Sequence, residues 1–166
     1  ITTFGSRVQK AYDQNVNFRQ IIRELVRWAQ GRVNEDMLWQ FARKSGACFD
    51  WMEDLVKPKG LRAGMWNQYY KGPDYTEYGV TALFEDSNGV RGNVPLANAL
   101  AEVAKEKGVE IVFQKKAEQF VRDGKGRVTA VIAGRPGSFT KYEASKGIII
   151  ASGDFASNKE MTGRYS

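Results

Sequence analysis

A glycine directly follows a run of apolar residues near the end of the chain, where residues 147–155 read GIIIASGDF. Three consecutive isoleucines are typical of a strand that is covered on both faces, as in a parallel sheet. Ligands bind beyond the carboxyl ends of such strands, and a glycine there lets another group approach the main chain closely. Gly153 therefore fits two interpretations, a ligand-binding turn or a plain turn without a ligand.

A helix start immediately after this glycine indicates which ligand the turn would favour. Ser157 and Glu160 have the Ser-x-x-Glu spacing of a capping box, which predicts the first turn of a helix close to Gly153. The free amide groups and the positive dipole end of a helix attract anions. If a ligand binds here, the sequence favours one that carries phosphate, beside Ser152, Gly153 and Asp154.

The composition removes several classes of chemistry. The 166-residue chain contains no histidine and a single cysteine, Cys48, so it has no Cys/His metal cluster and no Ser–His or Cys–His nucleophile pair. No apolar run reaches the length of a membrane span. The net charge is +6, but the basic residues are dispersed among acidic ones, which favours a solvated surface over a nucleic-acid interface. We expect no catalytic residue, metal ligand, nucleic-acid partner or membrane contact in this chain.

Two amphipathic helices are predicted in the first 56 residues. Residues 14–29 place apolar side chains at the spacing of one helical face. A second helix is predicted to begin after Asn34, whose side chain can cap it, and to continue past Gly46. The predicted apolar face of this helix consists of Leu38, Phe41, Ala42, Cys48, Met52 and Leu55. We favour core packing over cofactor contact for Cys48, Trp39, Trp51 and Met52.

Residues 57–92 are rich in glycine and aromatic residues and show no sustained period. They are predicted to form a long irregular connection with one short strand around residues 79–84. Their aromatic side chains either line a ligand cleft or cover the core, and the sequence leaves both open. These side chains are Trp66, Tyr69, Tyr70, Tyr75 and Tyr78.

The organisation is clearer from residue 93 onward. A helix is predicted to begin at Asn93, as its cap, and to end at Gly108. A strand is predicted at residues 109–113, followed by three antiparallel strands separated by the turns DGKG and GRPG. The isoleucine run then predicts a buried parallel strand at residues 146–152. The expected fold class is mixed α and β.

This second half resembles a family of flavoenzymes. The helix LANALAEVAKEKGVEI, the meander AEQFVRDGKGRVTAVIAG and the strand KGIIIASGDF are followed by SNKEM. The same order is found in the FAD-dependent oxidoreductases of the fumarate reductase and succinate dehydrogenase flavoprotein group, which includes ketosteroid dehydrogenases and urocanate reductases. That family commonly has Ala-Thr-Gly-Gly-Phe and then Asn-x-Glu-Met where this chain has residues 151–155 and 158–161. The upstream segment GRVNEDMLWQFARKSGACFDWMEDL resembles the family's helix before its adenine-side strands.

The resemblance implies a partial Rossmann-like FAD-binding domain of the glutathione reductase type. Residues 1–56 would form a helical segment of this domain, and residues 57–92 its irregular aromatic connection. Residues 93–166 would supply a helix, the three-stranded antiparallel meander, the buried parallel strand and the start of the next helix. The implied cofactor is FAD.

The resemblance also implies which residues face the cofactor. The strand around Lys116 and Ala117 would pair its main chain with the adenine, and Ala151, Ser152 and Gly153 would pass close to the adenosine diphosphate. Asp154 stands where the family has a second glycine, and its carboxylate would repel a pyrophosphate unless it points away or meets a sugar hydroxyl. The complete implied set is Lys116, Ala117, Ala151, Ser152, Gly153 and Asp154.

Two features of that family are absent from this sequence. One is the Gly-x-Gly-x-x-Gly stretch that binds the pyrophosphate, and the other is the set of residues that act on substrate. We therefore expect an internal segment of an enzyme that transfers a hydride between FAD and a small organic substrate, inactive without the remaining parts of the parent flavoenzyme. The alternative is a non-catalytic module that binds an anionic partner through Arg62, Trp66, Tyr69, Tyr70 and Lys71.

Overall fold

The structure, a computed structural model, describes residues 1–14, 17–66 and 79–165. The chain divides into two compact units, residues 1–111 and 112–166. The first contains α1 (Arg7–Ala11), α2 (Phe18–Trp28), α3 (Glu35–Val56), a 3-10 turn (Lys57–Lys59), β1 (Arg62–Met65), β2 (Ala82–Glu85) and α4 (Asn93–Glu106). The second contains β3 (Lys116–Arg122), β4 (Val128–Arg135), β5 (Ser138–Glu143) and α5 (Lys159–Tyr165). The prediction of a mixed α and β protein is confirmed.

The short helix α1 is not among the predicted elements, and buried hydrogen bonds account for it. The main-chain nitrogen and the hydroxyl of Ser6 both donate to Gln9 Oε1, at 3.1 and 3.2 Å. The Gln9 amide nitrogen donates in turn to the carbonyls of Thr3 and Gly79, at 2.9 and 2.8 Å. Because Ser6 and Gln9 are fully buried, this network fixes α1 without an apolar pattern that a sequence scan would detect.

Helices α2 and α3 confirm two of the predicted helices. Asn34 accepts a hydrogen bond from the main-chain nitrogen of Met37 at 3.3 Å, as expected for the cap of α3. The helix continues through Gly46, where a side chain is impossible because a Cβ would lie 2.3 Å from the carbonyl oxygen of Phe4. Gly46 thus lets the N-terminal segment pack directly on the α3 backbone.

The buried face of α3 agrees with the predicted one in part. Phe49 is fully buried and stacks on Phe84 of β2, with ring centroids 4.8 Å apart. The prediction that Phe41, Cys48 and Trp51 belong to the core is wrong, since all three are exposed. The prediction is confirmed for Ala42, which is buried, and for Leu38, Trp39, Met52 and Leu55, which are partly buried against the core. The buried residues of α3 are Ala42, Ser45, Gly46, Phe49 and Val56.

Strands β1 and β2 form an antiparallel pair in which Arg62 lies opposite Glu85 and Gly64 opposite Leu83. Residues 1–3 pair with residues 80–82 at the start of β2, through two main-chain hydrogen bonds of 2.8 Å. β2 lies where the short strand was predicted. The predictions for Tyr69, Tyr70, Lys71, Tyr75 and Tyr78 lie outside the described residues.

The predicted meander is confirmed in the second unit. The strands have the order β3-β4-β5 and are antiparallel. A two-residue turn joins β4 to β5, because Arg135 and Ser138 are paired directly. Gly134 permits this close approach, since a Cβ there would lie 2.2 Å from the carbonyl oxygen of Ser138.

The two strands predicted outside the meander are not found in the described part of the chain. Residues 146–152 are unpaired, and Ile149 and Ile150 are 93% and 66% exposed. Residues 109–113 are likewise unpaired, with Val109, Val112 and Phe113 exposed. A parallel strand gains regular structure and burial from neighbouring strands and covering helices, and the described residues supply neither. The buried parallel strand is therefore not confirmed.

Candidate functional site

The residues predicted to face FAD lie in two stretches of the second unit. Lys116 and Ala117 begin β3, opposite Gly134 and Ala133 of β4. β3 is an edge strand of its sheet, so its outward main-chain groups have no strand partner among residues 112–165. An edge of this kind offers N–H donors and C=O acceptors to another chain or to a planar ligand.

An irregularity in the pairing fixes the geometry at the start of β3. The register shifts between Ala117 and Gln119, which places Glu118 at a β-bulge. Bulges are common at sheet edges and beside binding sites, where they re-aim a side chain or end the pairing. The Lys116 ammonium lies 2.9 Å from a carboxylate oxygen of Glu118, so its charge is partly neutralised. At Lys116 and Ala117, a ligand would therefore meet main-chain N–H and C=O groups, and the ammonium of Lys116 is already paired with Glu118.

The second stretch, residues 151–154, is exposed and has no regular secondary structure. The segment leading to it is anchored by Arg127, whose guanidinium donates to the carbonyls of Ser145 and Lys146 at 3.0 and 3.1 Å. Gly153 has a φ of +78°, which by itself accounts for a glycine at this position. No atom lies within 4 Å of the position its Cβ would take, so there is also room for a ligand.

Asp154 and Asn158 both bond to the main chain of their own segment. An Asp154 carboxylate oxygen accepts from the main-chain nitrogen of Ala156 at 2.8 Å, which forms a local turn. Asn158 Oδ1 accepts from the main-chain nitrogen of Met161 at 3.0 Å. The predicted capping by Ser157 and Glu160 is wrong, because α5 begins at Lys159 and Asn158 occupies the cap.

The structure places both predicted stretches in the second unit but does not link them directly. Among the described residues no hydrogen bond joins residues 116–117 to residues 151–154. A ligand that used both would have to span them.

The first unit contains two charged residues that sequence reasoning missed, Glu85 and Arg91, beside one that it named. Arg62, named in the anion-binding alternative, donates to Glu85, which also accepts from Arg91 at 2.5 Å. The hydrogen bond from Arg62, then that from Arg91, lowers the pKa of Glu85. Trp66, also in that alternative, is exposed. The run EDSNGVR at residues 85–91 could have predicted this ion pair. Its Asn-Gly is typical of a hairpin turn, which brings the charged residues at its two ends, Glu85 and Arg91, together.

Two further classes of site are absent from the described residues. In ranges 1–14, 17–66 and 79–165, no helix combines the length and apolar character needed to cross a membrane. The same residues bring together no group of three or more His, Cys, Asp or Glu side chains able to hold a metal ion.

Comparison with known proteins gives a local similarity. No family model matches the chain. A curated relative is the 3-oxosteroid 1-dehydrogenase of Comamonas testosteroni. The two sequences are 32% identical over 74 residues, which cover 45% of this chain and 13% of the relative. The chain thus matches a small part of the length of that dehydrogenase.

Proposed function

We propose that this chain is a segment of an FAD-dependent oxidoreductase related to 3-oxosteroid 1-dehydrogenases. The observation that carries the proposal is the 32% identity over 74 residues to the Comamonas testosteroni protein. The motif resemblance at residues 147–161 supports it, because the fumarate reductase flavoprotein group includes ketosteroid dehydrogenases. A match to 13% of the relative fits a segment that binds cofactor while other parts of the enzyme act on a small organic substrate.

In this proposal the second unit forms the adenine-side wall of the FAD site. The edge of β3 at Lys116 and Ala117 is open, as main-chain pairing with adenine requires. The space around Gly153 is open as well, and we place the adenosine diphosphate beside residues 151–153. Asp154 lies in its own turn and contributes no required contact. These residues thus fit FAD as a wall that binds and orients it.

The chemistry of the reaction belongs to the cofactor and to groups outside this chain. FAD, when bound, supplies hydride transfer. The residues of this chain contribute no proton donor or acceptor in the proposal. Their role is to hold the adenine end of the cofactor, so that its reactive ring is presented to the substrate at a fixed position.

The exposed apolar segments at residues 109–113 and 147–150 support the idea of missing partners. Phe113, Ile149 and Ile150 are exposed, and exposed apolar segments of this kind mark surfaces that contact other protein. We propose that both segments become parallel strands of a Rossmann-like sheet when they pair with the remaining parts of the parent flavoenzyme. Residues 146–152 would then be the buried strand that the isoleucine run predicts.

The proposed activity is tested with the protein translated from the full reading frame that contains this sequence. The purified protein is kept without oxygen, a 3-oxosteroid is added, and the flavin absorbance is recorded. We expect the absorbance of oxidised flavin to fall as the steroid transfers a hydride to FAD. Bound flavin that is unchanged by 3-oxosteroids would contradict the steroid assignment, and a protein without flavin would contradict the whole proposal.

A further inference from the structure

A row of three charged side chains crosses the sheet of the first unit. Arg62 of β1 lies opposite Glu85 of β2, and Glu85 is bridged on its other side by Arg91. Residues directly opposite in antiparallel strands project from the same face, so the two guanidinium groups flank one carboxylate. The hairpin that joins Glu85 to Arg91 is held by Asp86, whose carboxylate accepts two main-chain N–H groups at 2.9 Å each.

Glu85 orients both arginines while using one nitrogen from each. A terminal nitrogen of Arg62 donates to one carboxylate oxygen, and Arg91 Nε donates to the other at 2.5 Å. The side chain of Glu85 is 10% exposed, against 77% for Arg62 and 53% for Arg91. The other guanidinium N–H groups have no hydrogen-bond partner in the part of the chain that the structure describes. The row therefore combines open donors with one positive charge in excess.

These donors line a small polar pocket of about 220 Å³. Gly64 and Leu83, which lie opposite each other in the sheet, line it together with the charged row. Tyr12 lines it from the end of α1. Because Gly64 has no side chain, the pocket stays open; a Cβ there would meet Leu83 alone, at 3.7 Å.

We propose that this pocket binds a small oxyanion, a phosphate or carboxylate group. Arginine is the side chain best suited to such groups, because its planar fork of donors matches two oxygens at once. One arginine is enough to balance the charge of the nearly buried Glu85 carboxylate, so the second arginine leaves a positive charge that Glu85 does not balance. An anion beside the pair would use the open donors and balance the excess charge. The site lies in the first unit and uses none of the residues assigned to FAD.

The proposal is tested by titrating the 166-residue chain with inorganic phosphate and, separately, with acetate, at constant ionic strength set by chloride. Calorimetry should show saturable binding of at least one of them, and the tighter of the two identifies the phosphate or carboxylate class. Arg62→Gln with Arg91→Gln should weaken binding at least tenfold. The control is Arg19→Gln with Arg23→Gln, which removes the same charge from exposed positions on α2 and should leave binding within twofold.

A second variant separates the pocket from its charge. Gly64→Leu keeps every charged group but places a side chain in the pocket. This variant should also bind the anion at least tenfold more weakly, and its circular dichroism spectrum should stay unchanged. If this variant fails to fold, the paired arginine variants decide. Absence of saturable binding to the wild-type chain, or equal losses in the α2 control, would overturn the proposal. The titration contains no flavin, so its failure would leave the FAD assignment unaffected.

Discussion

At the scale of single residues, the glycines show what a sequence can and cannot reveal. Gly46 and Gly134 are required by contact, because a Cβ would lie 2.3 and 2.2 Å from a backbone oxygen. Gly153 is different, since its space is open and its φ is +78°. The sequence predicted a turn glycine after the isoleucine run, but it could not distinguish a backbone requirement from a ligand contact, because both select the same residue.

A substitution that tolerates positive φ separates these two reasons. Asparagine enters the left-handed region with little strain, so Gly153→Asn should change the melting temperature of the cofactor-free full-length protein by only a few degrees. Its side chain would occupy the proposed cofactor space, and we expect bound flavin per protein to fall at least threefold. Gly137→Asn is the matched control, because Gly137 has a φ of +82° and equally open space in the β4–β5 turn. Equal flavin content in both variants would contradict the placement of FAD beside Gly153.

The charged row makes the stability of the first unit depend on pH. Hydrogen bonds from Arg62 and then Arg91 lower the pKa of folded Glu85, so its stabilising contribution is present above the ordinary pKa of about 4.3 and is lost as pH falls through the lowered value. Glu85→Gln should therefore lower the urea midpoint at pH 7, and the difference from wild type should shrink at low pH. Glu24→Gln, at an exposed position on α2, is the control. A difference that did not depend on pH would show that the charge of Glu85 is not what stabilises the fold.

At the scale of elements, local signals predicted what local forces determine. The spacing of apolar residues predicted α2, α3 and α4, the Asn34 cap predicted the start of α3, and turn residues predicted the β3–β5 meander. The prediction of Asn93 as the cap of α4 is wrong, because Gly92 occupies the cap and no side chain bonds there. The same reasoning missed α1, because buried Ser6 and Gln9 hold it through hydrogen bonds. It placed strands at residues 109–113 and 146–152 that are unpaired in the described chain, because parallel pairing depends on partners that local sequence does not contain. It also placed Cys48 in the core, because the contact of Gly46 with Phe4 is not visible in a helical pattern.

The packing of α3 on β2 predicts where the first unit is most sensitive. Phe49 is fully buried and stacked on Phe84, so Phe49→Ala should lower the free energy of unfolding by about 3–5 kcal/mol. Trp51, two residues further along the same helix, is exposed, and Trp51→Ala should change it by about 0.5 kcal/mol or less. Chemical denaturation followed by circular dichroism measures both. Similar losses in the two variants would mean that the buried face of α3 is assigned incorrectly.

At the scale of the whole molecule, the chain has a formed core in its first unit and a formed sheet in its second, but exposed apolar segments at residues 109–113 and 147–150. We attribute this to partners supplied by the rest of a flavoenzyme. The pyrophosphate of FAD normally lies at a glycine-rich turn and a helix start, and the sequence contains no Gly-x-Gly-x-x-Gly stretch. The chain by itself should therefore bind FAD weakly or not at all.

The most direct measurement is calorimetric titration of FAD into two proteins, the 166-residue chain and the flavin-free protein from its full reading frame. We predict one FAD bound tightly per full-length protein, and no tight binding to the chain alone, because the chain has no Gly-x-Gly-x-x-Gly stretch for the pyrophosphate. Submicromolar binding by the chain alone would contradict the view that an essential part is missing. Absence of FAD binding by the full-length protein would contradict the central claim that this chain belongs to a flavoenzyme.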